Sequence, residues 1–454
     1  VRVDDETNIT LNRDMEIDAK GHTIDANNGR MFIIDNGATV TIKNALLKNT
    51  GDDTTSTATG TMIDIVNGNL VLENVNITNA STKDGYTTPS LINVRSGSSL
   101  TTNNVIVTLT NGTIIFNQAN TVLNNTQIAN TVTQQYGIIT NNANLIIDNS
   151  VIENNIGKLG IVLANDANAE ITVTNSVFNS NDNEYGGAIV GKKSTTIDNT
   201  TFTNNVATIG GALYVTNGVM NVTNSIFVNN KATDNGSISF TGRNGKLNIS
   251  TSILLSDDDS VPYIFSNDET AKEILDNNYW GTNESPIETG KVNEIYENIS
   301  IDEFDEEQLD YAEIDVTLTR WVIMDTTITE DPEDNTVFAI DTTFNKAVDA
   351  DDNKYDLENT IPDYLNITYT TTSGTLASEE IAVANGEAHN TYYAGTEATT
   401  IEVRTLNQVQ EFEIAAPVIT GASYKGLQML IDATAEDGTL TLEEDCLRGA
   451  NDEK

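Results

Sequence analysis

The stretch GGAIVGKKSTTIDNTTFTNNVATIGGALYVTNGVMNVTNSIFVNN, residues Gly186 to Asn230, decides the fold of this chain. The phrase Gly-Gly-Ala-(Ile/Leu) begins at Gly186 and begins again at Gly210, 24 residues later. The phrase Asn-(Ser/Thr)-x-Phe-x-Asn-Asn begins at Asn199 and again at Asn224, 25 residues later. Because two different phrases recur at one interval, that interval marks a repeated structural unit.

Each repeat contains short runs of Val, Ile, Thr and Phe in alternation, separated by Gly and Asn, and has no helical period. A unit this short cannot close a core of its own, so it must stack on its neighbours. We therefore predict an all-β fold, a right-handed parallel β-helix of about ten coils with one repeat per coil. Equivalent residues of successive coils should stack along the axis into ladders.

One Asn position recurs in every coil, and we expect it to point inward, where its amide would bond the next coil. This ladder consists of Asn44, Asn74, Asn104, Asn125, Asn149, Asn175, Asn199, Asn224, Thr251 in place of Asn, and Asn277. The apolar residue three positions later, as at Phe178, Phe202 and Phe227, should fill the interior. The early coils are lengthened by polar loops, residues 51–60 and 81–89, and such insertions often gather on the binding face of a solenoid.

The repeats end at NNYWGTNESP, which runs from Asn277 to Pro286. The last coil of a solenoid exposes an apolar end that needs a cap, and Trp280 has the size to cover it. Pro286 stops further strand pairing. A tryptophan that stacks on a sugar is the alternative interpretation of Trp280.

Together with the FxxN and GGAI phrases, NNYWGTNESP resembles the adhesin-like surface proteins of methanogenic archaea. The resemblance covers most of the chain, and it implies a right-handed β-helix with Ig-like modules and a role in attachment to cells or surfaces. No catalytic residues come with it. The FxxN and GGAI phrases alone also occur in bacterial autotransporter-type surface proteins.

Composition changes after the repeats, so we predict three parts: a β-helix over 1–300, a β-sandwich over 301–416 and a tail over 417–454. Residues 287–310 read as a charged, solvated connector. About seven strand-like runs in the next hundred residues favour an Ig-like β-sandwich. This part also resembles the Ig-like spacer modules of the same adhesins.

The tail is predicted to form a short helix within Tyr424–Ala435, followed by a turn and a strand at Thr439–Leu442. This pattern resembles the opening of a β-helix unit in the same family. The tail is therefore interpreted as the start of the next repeat unit, and the first residues already follow the repeat. We accordingly expect the chain to be a segment of a longer protein.

The whole chain has 454 residues, with 67 acidic and 23 basic side chains and a net charge of −44. Such acidity argues against nucleic acid as a partner and against direct contact with anionic membranes. Residues 301–416 hold 27 of the acidic residues and 4 of the basic ones. Cys446 is the single cysteine, so no intrachain disulfide can form and the sandwich is not of the antibody type. We expect a monomer at the cell surface or in the cell wall.

A β-helix is also the scaffold of polysaccharide lyases and glycosidases, which need two carboxylates at a set spacing. Asp148 and Asp198 occupy equivalent positions two coils apart, about 9–10 Å by the coil spacing, with Thr174 between them. The two histidines, His22 and His389, lie far apart in sequence. In a chain this acidic, such a carboxylate pair arises by chance, so we predict a non-enzymatic protein.

We predict no cofactor, although calcium is kept open at two acidic loops. Asp349, Asp351 and Asn353 begin a segment like an EF-hand loop, but Lys354 stands where that loop needs Gly. The second loop contains Asp257 and Asp259. An acidic, solvated loop is the alternative for both. A Lys–Asn/Asp crosslink through Lys346 or Lys354 is also kept open.

Three functions follow from these patterns. The first is a non-catalytic adhesin segment that attaches to other cells or surface glycans, through the inserted loops or exposed tyrosines. The second is a polysaccharide-degrading β-helix enzyme, and the third is a passive spacer of the cell wall. The repeats, the acidity and the missing catalytic cluster favour the first.

Overall fold

A computed structural model describes most of the chain. The described residues are 9–27, 29–49, 61–80, 90–134, 136–256, 261–293, 295–301, 307–406, 408–417, 424–434, 438 and 440–441. The chain forms a parallel β-helix of about ten coils, followed by an antiparallel β-sandwich. Its internal contacts divide it into two units, residues 1–280 with 284–319, and residues 281–283 with 320–454.

The strands of the first unit are short and follow one another coil by coil. They are β1 (Ile9–Leu11), β2 (Met15–Asp18), β3 (Thr23–Asp25), β4 (Phe32–Ile34), β5 (Ala38–Lys48), β6 (Ile63–Ile65), β7 (Gly68–Thr78), β8 (Ser90–Val94), β9 (Ser99–Thr108), β10 (Thr113–Asn117), β11 (Asn120–Ala129), β12 (Ile139–Asn141), β13 (Asn144–Asp148), β14 (Val151–Glu153), β15 (Val162–Ala164), β16 (Glu170–Thr174), β17 (Val177–Asn179), β18 (Asp182–Tyr185), β19 (Ile189–Asp198), β20 (Thr201–Thr203), β21 (Val206–Ile209), β22 (Leu213–Thr223), β23 (Ile226–Val228), β24 (Lys231–Asn235), β25 (Ser239–Thr241), β26 (Lys246–Ser250), β27 (Ile253–Leu254), β28 (Ile264–Ser266), β29 (Lys272–Ile274), β30 (Ile295–Ile301), β31 (Glu307–Glu313) and β32 (Asp315–Thr317).

Apart from β30 and β31, these strands pair in parallel with their equivalents in neighbouring coils, and most of them form three long ladders. Sheet I contains β1, β4, β6, β8, β10, β12, β15, the first part of β19 and of β22, β25 and β28. Sheet II runs from β2 to β29 and ends on β32, and sheet III runs from β3 to β27. A fourth, short sheet consists of β18, β21 and β24.

Left-handed asparagines turn the chain from sheet II into sheet III. Asn149, Asn175, Asn199 and Asn224 have φ values of 46° to 50° and are exposed. Asn is one of the few residues that adopt this conformation readily, and its amide bonds to neighbouring coils, as from Asn199 Nδ2 to Asn175 Oδ1 at 2.7 Å. The prediction that this Asn ladder points inward is therefore wrong.

The ladder that does point inward is formed by Asn155, Asn181, Asn205 and Asn230, all fully buried. The backbone N–H and the side-chain amide of each one donate to Oδ1 of the next, at 2.9–3.2 Å. This arrangement satisfies the polar groups at a buried turn, where an unpaired group would be costly.

Aromatic side chains fill part of the interior. Phe178, Phe202 and Phe227 are fully buried, and their ring centroids lie 5.2 and 4.8 Å apart in nearly parallel planes. Trp280 is also fully buried, and its ring stacks on that of Tyr263 at 6.5 Å.

The Gly-Gly-Ala phrase occupies a place where no side chain fits. Gly186 and Gly210 have φ values of 56° and 68°. A Cβ atom on Gly187 would lie 1.9 Å from the carbonyl oxygen of Gly211 in the next coil. Glycine is therefore required both for the backbone conformation and for the close approach of neighbouring coils.

The segment predicted as a solvated connector forms an antiparallel hairpin of β30 and β31. After it, β32 returns to the β-helix and pairs with β29. Residues 301–319 therefore belong by their contacts to the first unit, whereas the sequence interpretation assigned them to the second.

The second unit contains two antiparallel sheets. Its strands are β33 (Trp321–Asp331), β34 (Asp334–Val348), β35 (Lys354–Asp356), β36 (Asn366–Thr371), β37 (Thr375–Leu376), β38 (Glu380–Ala382), β39 (Glu387–Tyr393), β40 (Thr399–Thr405) and β41 (Gln408–Ile414). One sheet has the order β33-β34-β39-β37 with β35 on β34, and the other has the order β38-β36-β40-β41. Alternate residues such as Ile340, Phe344 and Ile401 are fully buried between them.

Helix α1 (Tyr424–Ala433) lies in the segment where a helix is predicted. Among the described residues, no helix is long and apolar enough to cross a bilayer. Thr439 and Leu442 of the predicted tail strand lie outside the described residues, as do the inserted loops 51–60 and 81–89.

Candidate functional site

The two carboxylates proposed as a catalytic pair are held by hydrogen bonds on the outer face of sheet II. Asp148 Oδ1 accepts from Thr174 Oγ1 at 2.5 Å and from Asn175 Nδ2 at 2.9 Å. Asp198 accepts from the equivalent Thr223 and Asn224 at 2.6 and 2.8 Å. The hydrogen bonds from Thr174 and Asn175 lower the pKa of Asp148. A general acid needs a raised pKa, so this arrangement suits a structural ladder instead.

In the first acidic loop proposed for calcium, the carboxylate of Asp349 accepts hydrogen bonds from groups of the same segment. Asp349 Oδ1 accepts from the backbone N–H groups of Asp351 and Asn353, and Oδ2 accepts from Tyr355 Oη at 2.7 Å. The bonds from Tyr355 and Asn353 lower the pKa of Asp349 to about 2. Its lone pairs are thus occupied by protein donors rather than directed at a cation. Asp257 and Asp259 lie outside the described residues.

Within the described part of the chain, no group of three or more His, Cys, Asp or Glu side chains is arranged to hold a metal ion. His389 bonds through Nδ1 to Asp341 at 2.7 Å, and its Nε2 lies 3.4 Å from Glu387. These groups line an open polar depression of about 390 Å³ on one face of the sandwich. The bond to Asp341 raises the pKa of His389.

The lysines considered for a covalent crosslink each form an ion pair. Lys346 pairs with Asp356, and Lys354 Nζ lies 2.8 Å from Asp325 Oδ1. Asp356 is 83% exposed, so its carboxylate is hydrated. An amide-forming reaction needs a desolvated carboxyl group, and this pair does not provide one.

A continuous column of side chains follows the outer face of sheet I, one residue per coil. The strand register places them in the order Asp64, Asn93, Phe116, Thr140, Leu163, Val190, Tyr214, Phe240 and Phe265. We call this series the sheet I column. The inserted loops 51–60 and 81–89 lead directly into β6 and β8, the strands that carry its first two members.

The later part of the sheet I column is aromatic. Tyr185 of the short fourth sheet lies 6.1 Å from Tyr214, which lies 5.4 Å from Phe240, and Phe240 lies 5.7 Å from Phe265, between ring centroids. We call these four residues the aromatic stripe. Tyr185, Tyr214 and Phe265 are partly exposed, whereas Phe240 is buried. Burial raises the pKa of Tyr214, so its phenol stays neutral.

The repeated glycines make room for this stripe. A Cβ atom on Gly186 would lie 3.1 Å from Tyr214 Cβ, and one on Gly210 would lie 3.3 Å from Phe240 Cβ. The aromatic residue comes four positions after the glycine, at Gly210–Tyr214 and again at Gly236–Phe240. This spacing was the sequence signal that could have located the stripe.

The early part of the sheet I column is polar and charged. Asp64 is 2% exposed and accepts two bonds from Arg95, Nε to Oδ1 at 2.9 Å and Nη2 to Oδ2 at 2.7 Å. Asn93 Nδ2 donates to Asp64 Oδ1 at 3.1 Å, and Arg30 Nη1 lies 3.5 Å from Asp64 Oδ2. The bidentate pair raises the pKa of Arg95. The buried carboxylate is therefore compensated by two cations.

No protein-family model matches this chain, and no curated protein is significantly similar to it. A search of solved structures finds a PL6-family alginate lyase, with a TM-score of 0.31 and 14% identity over 68% of this chain and 54% of that one. It also finds a tailspike of an Acinetobacter baumannii bacteriophage, a capsular polysaccharide depolymerase, with a TM-score of 0.22 and 9% identity over 92% of this chain and 81% of that one.

A Parabacteroides merdae β-glucuronidase matches with a TM-score of 0.17 and 11% identity, over 27% of this chain. The match spans 16% of the glucuronidase. We therefore base the function on the side chains of this chain.

Proposed function

We propose that this chain is a non-catalytic segment of a cell-surface adhesin that attaches to glycans of other cells through the aromatic stripe. The observation behind this proposal is that three of its four rings, those of Tyr185, Tyr214 and Phe265, are partly exposed. These rings offer apolar surface to the C–H faces of sugars, and the hydroxyls of Tyr185 and Tyr214 offer hydrogen bonds. The β-sandwich serves as a spacer of the Ig-like kind found in archaeal adhesins.

The negative charge of the chain should determine which class of glycan it binds. A net charge of −44 repels polyanions, so neutral polysaccharides are the expected ligands. The same charge keeps nucleic acid and anionic membranes from being partners, and it favours a monomer outside the cell or in the cell wall. No cofactor is required, and calcium should have no effect on binding.

Polysaccharide cleavage is the second candidate, and the pairing of Arg95 with Asp64 favours it because lyases use basic side chains beside carboxylates. Here the guanidinium is already occupied by Asp64, and Asp64 is buried. The hydrogen bonds from Thr174 and Asn175 also lower the pKa of Asp148, which makes this carboxylate unsuited to donate a proton. Binding without cleavage is therefore the favoured function.

The test is a binding screen of the whole chain against neutral and anionic polysaccharides and whole cells, with and without calcium. Saturable binding to a neutral glycan is expected, and Tyr214→Ala should weaken it by about tenfold or more. Tyr393→Ala is the matched control, because Tyr393 is an exposed tyrosine of the sandwich. Soluble cleavage products would overturn the non-catalytic function, and absence of binding to every surface would leave a passive spacer.

A further inference from the structure

Glu273 of β29 has its side chain in the interior of the β-helix. The strand register places it between Leu247 of the preceding coil and Val316 of β32. Glu273 is fully buried, whereas the next residue, Ile274, is 48% exposed. Strand β29 therefore presents a carboxyl group to the core and an aliphatic side chain to solvent, the reverse of the usual pattern.

The carboxyl group lacks compensation among the described residues. Neither oxygen of Glu273 has a hydrogen-bond partner there, and the same holds for the interior hydroxyls of Ser239 and Thr241. The Thr241 hydroxyl lies beside the carboxyl and stabilises its charge only in part. Each unpaired buried polar group carries a cost, and a carboxylate carries the largest one.

The charged residues of the adjoining strands do not face Glu273. Lys272 on β29 and Asp315 on β32 form an ion pair on the outer surface, and Lys246 on β26 is exposed on the same face. Strand β25, which supplies Thr241, carries no charged residue. Glu273 is consequently the only acidic or basic side chain that these strands place in the described interior; Tyr279, fully buried later in the same coil, is a further titratable group.

We propose that Glu273 is a pH-sensitive latch on the last coil: neutral, it stays inside and lets β32 close the coil, whereas ionised, it favours separation of β32 from β29 and reaches solvent. The β29–β32 pairing then has a closed and an open state, and water solvates the carboxylate only in the open one. Such a bistable pairing is the kind of element that a change of protonation can bias.

The direction of the pH dependence follows from the burial. Desolvation raises the pKa of Glu273 from 4.5 to about 7. Between these values the open strand binds fewer protons than the closed one, so closure is strongest in acid and weakens as the pH rises. The closing equilibrium should fall by about 80-fold from pH 4.5 to 7, and by about 300-fold over the whole titration. Because β29 and β32 are short, local opening exposes the carboxyl without unfolding the other coils.

The experiment is amide hydrogen exchange of the whole chain between pH 5 and 8, corrected for intrinsic exchange rates. The reporters are the amides of β29 and β32 and that of Leu275, which donates to Thr317. Protection should fall by up to about tenfold per pH unit up to pH 7 and then level off. In Glu273→Gln and Glu273→Leu it should be independent of pH. Glu170→Gln, at an exposed position of sheet II, should behave like the unaltered chain.

Protection that does not change with pH would overturn the proposal, as would a pH dependence that persists in Glu273→Gln. Protection restored at pH 8 by sodium or calcium would show a bound cation and also overturn the latch.

Discussion

Single residues in the left-handed conformation make the turns between sheets II and III. Nine of the positions predicted as a ladder are asparagines with positive φ, but Thr251 takes the same place with a φ of 54°. A β-branched residue is strained there, because its side chain crowds the backbone. The β-helix therefore tolerates one unfavourable residue in an otherwise regular column.

Thr251→Asn should stabilise the β-helix by about 1 kcal/mol, because Asn adopts this conformation more readily and can bond to Asn224 and Asn277. Urea unfolding measures the change. Ser250→Asn places the same side chain on the adjacent, extended residue and should change the stability by less than about 0.5 kcal/mol. A loss of stability in Thr251→Asn would contradict the strain argument.

The stability of the chain at low pH should depend on residues such as Asp148. Its pKa is lowered by the bonds from Thr174 and Asn175, so its contribution is present above the ordinary Asp pKa and is lost as the pH falls through the lowered value. The unaltered chain should therefore lose stability more steeply below pH 4 than Asp148→Asn does. Thermal midpoints from pH 2 to 6 measure this, and parallel curves would contradict it.

The sequence predicted which residues recur but not which way they face. In the phrase Asn204-Asn205 the first Asn is exposed with a φ of 55°, and the second is fully buried. Periodicity alone cannot separate these roles, because both residues recur at the same interval. The pairing of Asp64 with Arg95 was equally invisible, since those residues become neighbours only when one coil stacks on another.

The buried Asn ladder links successive coils of the β-helix through hydrogen bonds. Asn205 Nδ2 donates to the carbonyl of Phe178 at 2.9 Å and to Asn230, and Oδ1 accepts from Asn181. Removing this side chain leaves several buried polar groups without partners. Asn205→Ala should therefore destabilise the β-helix by about 3 kcal/mol or more.

Asn204→Gly is the matched change for Asn205→Ala. It removes the neighbouring exposed amide and keeps a residue suited to positive φ, so a loss below about 1 kcal/mol is expected. Chemical unfolding of both variants under one set of conditions makes the comparison. If both variants lost the same free energy of unfolding, the buried ladder would contribute no more to stability than the exposed one.

Elements were predicted well where the repeat is regular and poorly where it stops. Strands β36 and β38 to β41 of the sandwich match alternating runs in the sequence, whereas the short β37 was not predicted. The hairpin of β30 and β31 was predicted to be a linker because its residues are mostly charged. Residues 314–323 form a single strand-like run in the sequence, although β32 pairs with the β-helix and β33 pairs with the sandwich. A local pattern cannot reveal a change of partner inside one extended run.

Across the whole molecule, a net charge of −44 opposes compactness in both units. Salt shortens the Debye length from about 30 Å at 0.01 M to about 8 Å at 0.15 M and so weakens this repulsion. The midpoint of thermal unfolding should therefore rise as sodium chloride is added over that range.

Calcium chloride at matched ionic strength separates screening from specific binding. If the acidic loop at Asp349 is closed by its own donors, calcium should add nothing beyond the effect of sodium chloride. A further rise with calcium, lost in Asp349→Asn, would show that a cation displaces those donors. Scanning calorimetry with both salts provides the comparison.

The stacking of coils also has a mechanical consequence for the first unit. Every coil is bonded to the coil before it and the coil after it, through sheets that run the length of the β-helix. Tension applied between the ends of this unit would thus detach coils one at a time rather than all at once. A coil of 24 or 25 residues, as between the repeated phrases, releases roughly 80 Å of slack when it is extended. The β-helix would then act as an extensible tether that dissipates a pulling force in small steps.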